Sequence, residues 1–148
     1  MKNYRHILCG TDFSAASDNA CIRARELARE SGAKLTLLHV VDHFPEDRSN
    51  EEIAPEDVDP KKFHEERSRI GLRDQARRIG HPEAIQETRF TTRSAAYEIT
   101  HYAGTNDVDL IVIGSHAHSA IAELLGTTSG AVERRADCEV LVLPNAGA

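Results

Sequence analysis

The chain has 148 residues, is 40% hydrophobic and carries a formal net charge of −6, which suits a single domain over residues 1–148 with its own core. The negative charge argues against binding to nucleic acid or anionic membranes, because such surfaces need clustered lysine and arginine. No signal peptide opens the sequence and no apolar run approaches the roughly 20 residues of a membrane span, so we expect a cytoplasmic protein.

The first elements predict a β-α-β unit. The run YRHILCGTD has a short apolar core that ends at Gly10, which is typical of a buried parallel strand. The segment FSAASDNACIRARELARESG predicts a helix that begins at Ser14 or Ser17 and ends at Gly32. The run KLTLLHVV then predicts a second strand, joined to the first by a right-handed crossover.

The middle of the chain is strongly charged. Three prolines and many carboxylates predict a flexible acidic loop at about 43–60, and the carboxylates lack calcium-loop spacing. From Lys61 to about Gly80 an arginine-rich segment predicts an exposed helix with one buried stripe, interrupted at Gly71. Acidic residues alternate with the arginines, which indicates a salt-bridged solvent face rather than an anion site.

The remaining segments continue the alternation of strands and helices. AIQETRFTT predicts a strand near the sheet edge, RSAAYEITHYAG a helix and DLIVIGS the most buried strand. SGAVERRAD and EVLVLP predict a final helix and strand. This order predicts an α/β fold, an open doubly wound parallel sheet of five strands with helices on both faces.

The cysteines and a histidine pair are the other candidate chemical groups. Cys9, Cys21 and Cys138 are odd in number and form no C-x-x-C pair, so we expect reduced, buried thiols. His116 and His118 lack third and fourth ligands in the sequence, so we expect no zinc site.

Polar and glycine residues stand at the carboxyl ends of the strands, where open parallel sheets bind their ligands. They are Thr11 and Asp12 after the first strand and Gly114, Ser115 and His116 after the fourth, and the apolar Val41 stands at the end of the second. At the start of the last helix stand Gly126, Thr127 and Thr128. The free N–H groups and positive dipole of a helix start favour phosphate. A strand exit followed by a helix cap explains the same pattern, and both interpretations stay open.

The phosphate loops of better-known families are absent. The sequence contains no G-x-x-x-x-G-K-[ST], and the first turn, CGTDFS, lacks the three glycines of a dinucleotide fingerprint. CGTDFS also lacks the serine- and glycine-rich loop of adenylating and ATP-pyrophosphatase enzymes, which disfavours that class. No nucleophile or second acid accompanies Asp12, so we expect no enzyme beyond slow hydrolysis of bound ATP.

Several segments together resemble the universal stress protein family. They are ILCGTDFS, ARELARESGAKL, LTLLHVVD, DLIVIGS, GSHAHS and LLGTTSGAVERRADCEVLVLP, which span nearly the whole chain. The resemblance implies the strand order 3-2-1-4-5, a homodimer and, in one subclass, ATP held between the first and fourth strands. The apolar last strand independently predicts a dimer, because an open sheet edge exposes unpaired backbone groups that a second copy can pair.

One motif departs from the family pattern. Nucleotide-binding members of the family carry G-x2-G-x9-G-[ST] after the fourth strand, whereas here Ala117 replaces the second glycine and eight residues separate it from Gly126. Alanine resists positive φ and crowds a ligand that approaches the main chain. The resemblance still implies an adenine nucleotide, ATP or AMP, with or without Mg²⁺. Thr11, Asp12 and Val41 then hold the base and ribose, and residues 114–117 and 126–128 surround the phosphates.

Two functions follow from this resemblance. The first is a regulatory dimer whose nucleotide occupancy selects a protein partner that the sequence does not identify. The alternative is a dimer that holds no nucleotide and acts only through protein contacts, as the alanine and the shortened loop would favour.

Overall fold

The computed structural model describes residues 3–42, 59–115 and 128–144. The alternation of strands and helices predicted from the sequence is confirmed in these ranges. In chain order the elements are β1 (His6–Gly10), α1 (Ala15–Ser31), β2 (Lys34–Asp42), α2 (Pro60–Arg78), β3 (Ile85–Thr91), α3 (Ala95–Thr105), β4 (Leu110–Gly114), α4 (Thr128–Arg135) and β5 (Glu139–Leu143). Of the predicted acidic loop, only Asp59 and Pro60 fall within the described residues, as the N-cap and first residue of α2.

The five strands form one parallel sheet in the order β3-β2-β1-β4-β5. This is the predicted fold, with β3 and β5 at the edges. The chain runs from β1 outward to β3, then returns to the other side of β1 and runs outward to β5. The direction of winding therefore reverses between β1 and β4, which is where sheets of this kind open a crevice at the carboxyl ends of the strands.

Two hydrophobic clusters cover the two faces of the sheet. One contains Ile7, Cys9, Leu37 and Val112 and packs under α1 and α2. The other contains Leu8, Leu38, Ile111 and Ile113 and packs under α3 and α4. Because the central strands alternate between two covered faces, every residue of β1 is buried.

Helix α1 begins and ends where the sequence indicates. Ser14 is the N-cap, and its side chain accepts a hydrogen bond from the Ser17 N–H. Gly32 is the C-cap in the left-handed region, with a φ of 69°. Of the two residues predicted to begin α1, Ser14 is therefore the correct N-cap. The hydroxyl of Ser17 does not cap the helix and is available to residues that follow β1.

Helix α2 contradicts one prediction. It runs from Pro60 to Arg78 without the interruption expected at Gly71. A Cβ at Gly71 would lie 2.8 Å from Cζ of Phe13. The glycine is explained by this neighbouring aromatic ring and not by a break in the helix.

The cysteines are free thiols, as predicted. Cys9 and Cys21 are fully buried, with their sulfur atoms 3.0 Å apart, and Cys138 is only half-buried. The hydrogen bond to Cys21 and burial raise the pKa of the Cys9 thiol, which keeps it protonated and unreactive. Within the described ranges, no helix has the length and apolar character needed to cross a membrane.

Candidate functional site at the carboxyl ends of β1 and β4

A cleft opens where the direction of winding reverses. It encloses about 510 Å³ of empty space, part of it open to solvent. Its apolar wall comes from β2, α3 and β4 through Leu38, Val40, Ile99 and Ile113. Its polar rim comes from Thr11, Asp12, Ser17 and Thr128, and Gly10, Ala95 and Gly114 complete the lining. An apolar lining with a few polar groups is typical of a small-molecule site.

Thr11 is fixed by three hydrogen bonds. Its N–H donates to the Leu38 carbonyl at 2.9 Å, and its hydroxyl oxygen accepts from the Phe13 N–H at 3.0 Å. Its own carbonyl lies 2.8 Å from Nδ1 of His39. A carbonyl can only accept, so the imidazole carries its proton on Nδ1. The turn after β1 is therefore anchored to β2.

Asp12 is tied to the first turn of α1. Its Oδ1 accepts the Ser17 hydroxyl at 2.5 Å and the Ser14 N–H at 3.0 Å. Its own N–H donates to the Ser17 hydroxyl oxygen at 3.0 Å. These contacts orient the carboxylate on the cleft rim, where it can accept a hydrogen bond from a base or sugar. They also give Asp12 a structural role that the sequence did not indicate.

His39 lies behind this turn, with its ring centroid 4.5 Å from that of Phe13. Burial lowers the pKa of His39, although the Thr11 carbonyl and the Asp12 charge act in the opposite direction. The imidazole is therefore neutral at pH 7, which is consistent with a donor at Nδ1 toward the Thr11 carbonyl.

Gly114 is explained by packing against α1. A Cβ there would lie 2.6 Å from the carbonyl oxygen of Ala16 and 2.9 Å from its carbonyl carbon. The end of β4 thus approaches the main chain of α1 too closely for any side chain. The next residue, Ser115, donates its N–H to the Leu143 carbonyl at 2.9 Å and so extends the contact between β4 and β5.

The structure brings together some of the residues named from the sequence and not others. Among the described residues, Thr11, Asp12, Gly114 and Thr128 line the cleft, whereas Val41 and Ser115 do not. Val40 replaces Val41 on the cleft wall, because successive side chains of a strand point to opposite faces. The other named residues lie outside the described ranges. They are His116, Ala117, Gly126 and Thr127.

The sequence analysis missed the apolar wall supplied by α3. Ala95 and Ile99 lie one helical turn apart and both face the cleft. Their spacing was visible as part of an amphipathic helix, but the same spacing is expected for ordinary core residues. Ser17 was considered only as a helix cap. In the described part of the chain, no cluster of three or more histidine, cysteine, aspartate or glutamate side chains is placed to hold a metal ion.

Comparison with known proteins identifies the family. The model of the universal stress protein family matches residues 3–144. The chain belongs to the universal stress protein family. Among its relatives, universal stress protein A homolog 1 of Coxiella burnetii is 30% identical over 141 residues, which cover 95% of this chain and 96% of that protein. The family resemblance stated from the sequence is confirmed.

Solved structures of universal stress proteins share the fold. A universal stress protein crystallised in complex with cAMP gives a TM-score of 0.71 at 23% identity, covering 98% of this chain and 100% of that one. The universal stress protein from Archaeoglobus fulgidus in complex with dAMP gives a TM-score of 0.59 at 18% identity, covering 95% of this chain and 98% of that one. Both likenesses support the five-stranded architecture of this family member.

Proposed function

We propose that this universal stress protein binds an adenine nucleotide, ATP or AMP, in the cleft between β1 and β4, and acts as a regulatory homodimer. The observation that carries the proposal is the cleft itself. It combines an apolar wall with a polar rim at the point where the direction of winding reverses between β1 and β4. The two solved family members named with cAMP and dAMP support an adenine nucleotide as its occupant. The proposal includes no catalytic step.

The base would occupy the apolar part of the cleft. Leu38, Val40, Ile99 and Ile113 line the cleft and belong to, or pack against, one hydrophobic cluster, so together they offer an apolar surface to a planar ring. Thr11 and Asp12 border this surface and supply polar atoms toward the edge of the base and the ribose. An apolar pocket with a few placed polar groups is the usual design of a nucleoside site.

The phosphates would lie toward the start of α4. Thr128 is exposed, begins this helix and lines the cleft. The N–H groups of a first helical turn favour a negative charge, and a threonine hydroxyl there can donate to a phosphate oxygen. In this proposal His116, Ala117, Gly126 and Thr127, which neighbour Ser115 and Thr128 in the sequence, complete the phosphate site together with Gly114, and the contribution of Mg²⁺ is to be measured.

The direct test is to denature the purified protein and identify released nucleotide by mass. We expect ATP or AMP, and an increased melting temperature when ATP or AMP is added to the emptied protein. Titrations with and without Mg²⁺ would show whether the ion contributes. If no nucleotide is released and ATP and AMP produce no thermal shift, nucleotide binding is rejected in favour of the second candidate below.

We expect Thr128→Val to weaken ATP binding by about tenfold, since it deletes one hydrogen bond to a charged group and keeps the side-chain shape. Thr105→Val is the matched control. Thr105 is also exposed, but it ends α3 near the amino end of β1, at the opposite end of the strands from the cleft, where the next residue, Asn106, contacts His6. Isothermal titration of both variants checks the prediction, and equal affinity of Thr128→Val and wild type would exclude a phosphate contact at this hydroxyl.

A family dimer without nucleotide is the second candidate function. It is favoured by Ala117, which stands where nucleotide-binding members have glycine, and by the shortened spacing to Gly126. In that case the protein would act only through contacts with other proteins.

The homodimer in this proposal forms through β5. In the described chain β5 pairs with β4 alone, and Val140 to Leu143 are half-buried at the sheet edge. We expect Val142→Glu to shift the protein toward monomer in sedimentation equilibrium, because the proposed symmetric interface would bring two copies of the charge together. Val142 also packs against the cluster under α3 and α4, so the comparison is made where circular dichroism shows the variant folded. Ile85→Glu is the control, since Ile85 is exposed on β3 at the other edge. A wild-type monomer at micromolar concentration would reject the dimer.

A further inference from the structure

Phe13 adopts an unusual backbone conformation next to the cleft. Its φ is 67°, in the left-handed region that side chains larger than glycine rarely occupy. Such a conformation is strained and persists only where its surroundings enforce it. The residue directly follows Asp12, so the strain lies in the turn that forms the polar rim.

The Phe13 ring is seated between β2 and α2. On one side it packs on the His39 ring, with centroids 4.5 Å apart and planes inclined by 33°. On the other side it faces Gly71 so closely that a Cβ there would lie 2.8 Å from Cζ and 2.9 Å from Cε2. A glycine inside a helix stabilises the helix less than an alanine does. The chain thus carries two locally unfavourable features, at Phe13 and at Gly71, that fit one another.

Both contacts lead back to Thr11. His39, which packs against the ring, donates from Nδ1 to the Thr11 carbonyl, and the Phe13 N–H donates to the Thr11 hydroxyl oxygen. The Thr11 N–H is held by the Leu38 carbonyl. A shift of the ring would therefore be transmitted to Thr11 and Asp12, which line the cleft.

We propose that Phe13 is a positioning residue for the nucleotide site. Its ring, seated between His39 and Gly71, holds the turn of Thr11 and Asp12 in the binding geometry before the ligand enters, and so couples the position of α2 to the cleft. A turn that is ordered in advance loses less entropy on binding, which raises affinity. This inference rests on the nucleotide binding proposed above.

The test compares two glycine-to-alanine changes inside helices. Gly71→Ala places a methyl group against the Phe13 ring, and we expect it to weaken ATP and AMP binding by roughly tenfold. Gly104→Ala is the matched control in α3, where a Cβ meets nothing within 4 Å, and it should leave binding unchanged. Affinities are measured by titration calorimetry at a temperature where circular dichroism shows each variant fully folded.

A third variant, Phe13→Leu, removes the ring without adding volume, and it keeps the test decisive if Gly71→Ala does not fold. We expect weaker binding here too. In the double variant with Phe13→Leu and Gly71→Ala, the two losses of nucleotide affinity should not be additive, because the alanine methyl group occupies space that the aromatic ring no longer fills. A merely structural role for Phe13 predicts lower melting temperatures with unchanged dissociation constants, and this result overturns the inference while nucleotide binding stands. A wild-type protein that binds neither nucleotide overturns both.

Discussion

Gly114→Ala is expected to lower the free energy of unfolding by about 3 kcal/mol, the upper end of the usual cost of overpacking. The added methyl carbon would lie 2.6 Å from the Ala16 carbonyl oxygen and 2.9 Å from its carbonyl carbon. These are backbone atoms in the first turn of α1, and they cannot rotate away as a side chain can. Either α1 shifts from the end of β4 or β4 loses its register with β1 and β5.

Urea denaturation followed by circular dichroism measures this effect, because the chain has no tryptophan for fluorescence. Gly104→Ala serves as the reference, and its helical position with open space around the Cβ predicts a gain of up to about 1 kcal/mol. Unchanged stability of Gly114→Ala together with lost nucleotide binding would mean that Gly114 is needed for a ligand and not for packing. That result would contradict the structural role assigned here.

Much of the fold follows from patterns that are local in the sequence. The buried runs around Cys9 and Val112, the cap at Ser14 and the left-handed glycine at Gly32 each act within a few residues, so the alternation of strands and helices could be predicted. The strand order came from the family resemblance, because local periodicity does not determine which strands become neighbours.

The wrong prediction at Gly71 and the position of Val41 away from the cleft lining have a different origin. A glycine in a helical sequence has the same local signature whether it breaks the helix or accepts a ring, and only the fold brings Phe13 against α2. Val40 and Val41 are both apolar residues at the end of β2, and the register of β2 in the sheet decides which one faces the cleft. Such contacts between distant segments carry no pattern in a single sequence.

The same limit applies to the cleft as a whole. Thr11, Asp12 and Gly114 were predicted because polar residues and glycines at strand ends are recognisable in the sequence. Ala95 and Ile99 were missed because apolar residues on α3 resemble any core stripe. The apolar half of the cleft therefore required the structure, and it is also the half that separates a nucleotide site from a plain phosphate site.

Ala95→Leu tests that apolar half directly. Ala95 is the first residue of α3, half-buried and on the cleft wall one turn before Ile99. A leucine there would extend into the space assigned to the base, and we expect nucleotide binding to weaken by about a hundredfold, as overpacking of an occupied pocket predicts. Stability of the empty protein should not fall, because the added side chain enters open space and gains contact with Ile99.

Ala15→Leu is the matched control. Ala15 is likewise the first residue of its helix and also follows a serine N-cap, but it is exposed and is not among the described residues that line the cleft. Titration calorimetry should therefore show near wild-type affinity for Ala15→Leu and a large loss for Ala95→Leu. Equal affinity in the two variants would place the nucleotide elsewhere on the protein. If Ala95→Leu loses nucleotide affinity while Thr128→Val keeps it, the base still binds in the cleft, but the phosphates do not contact the start of α4.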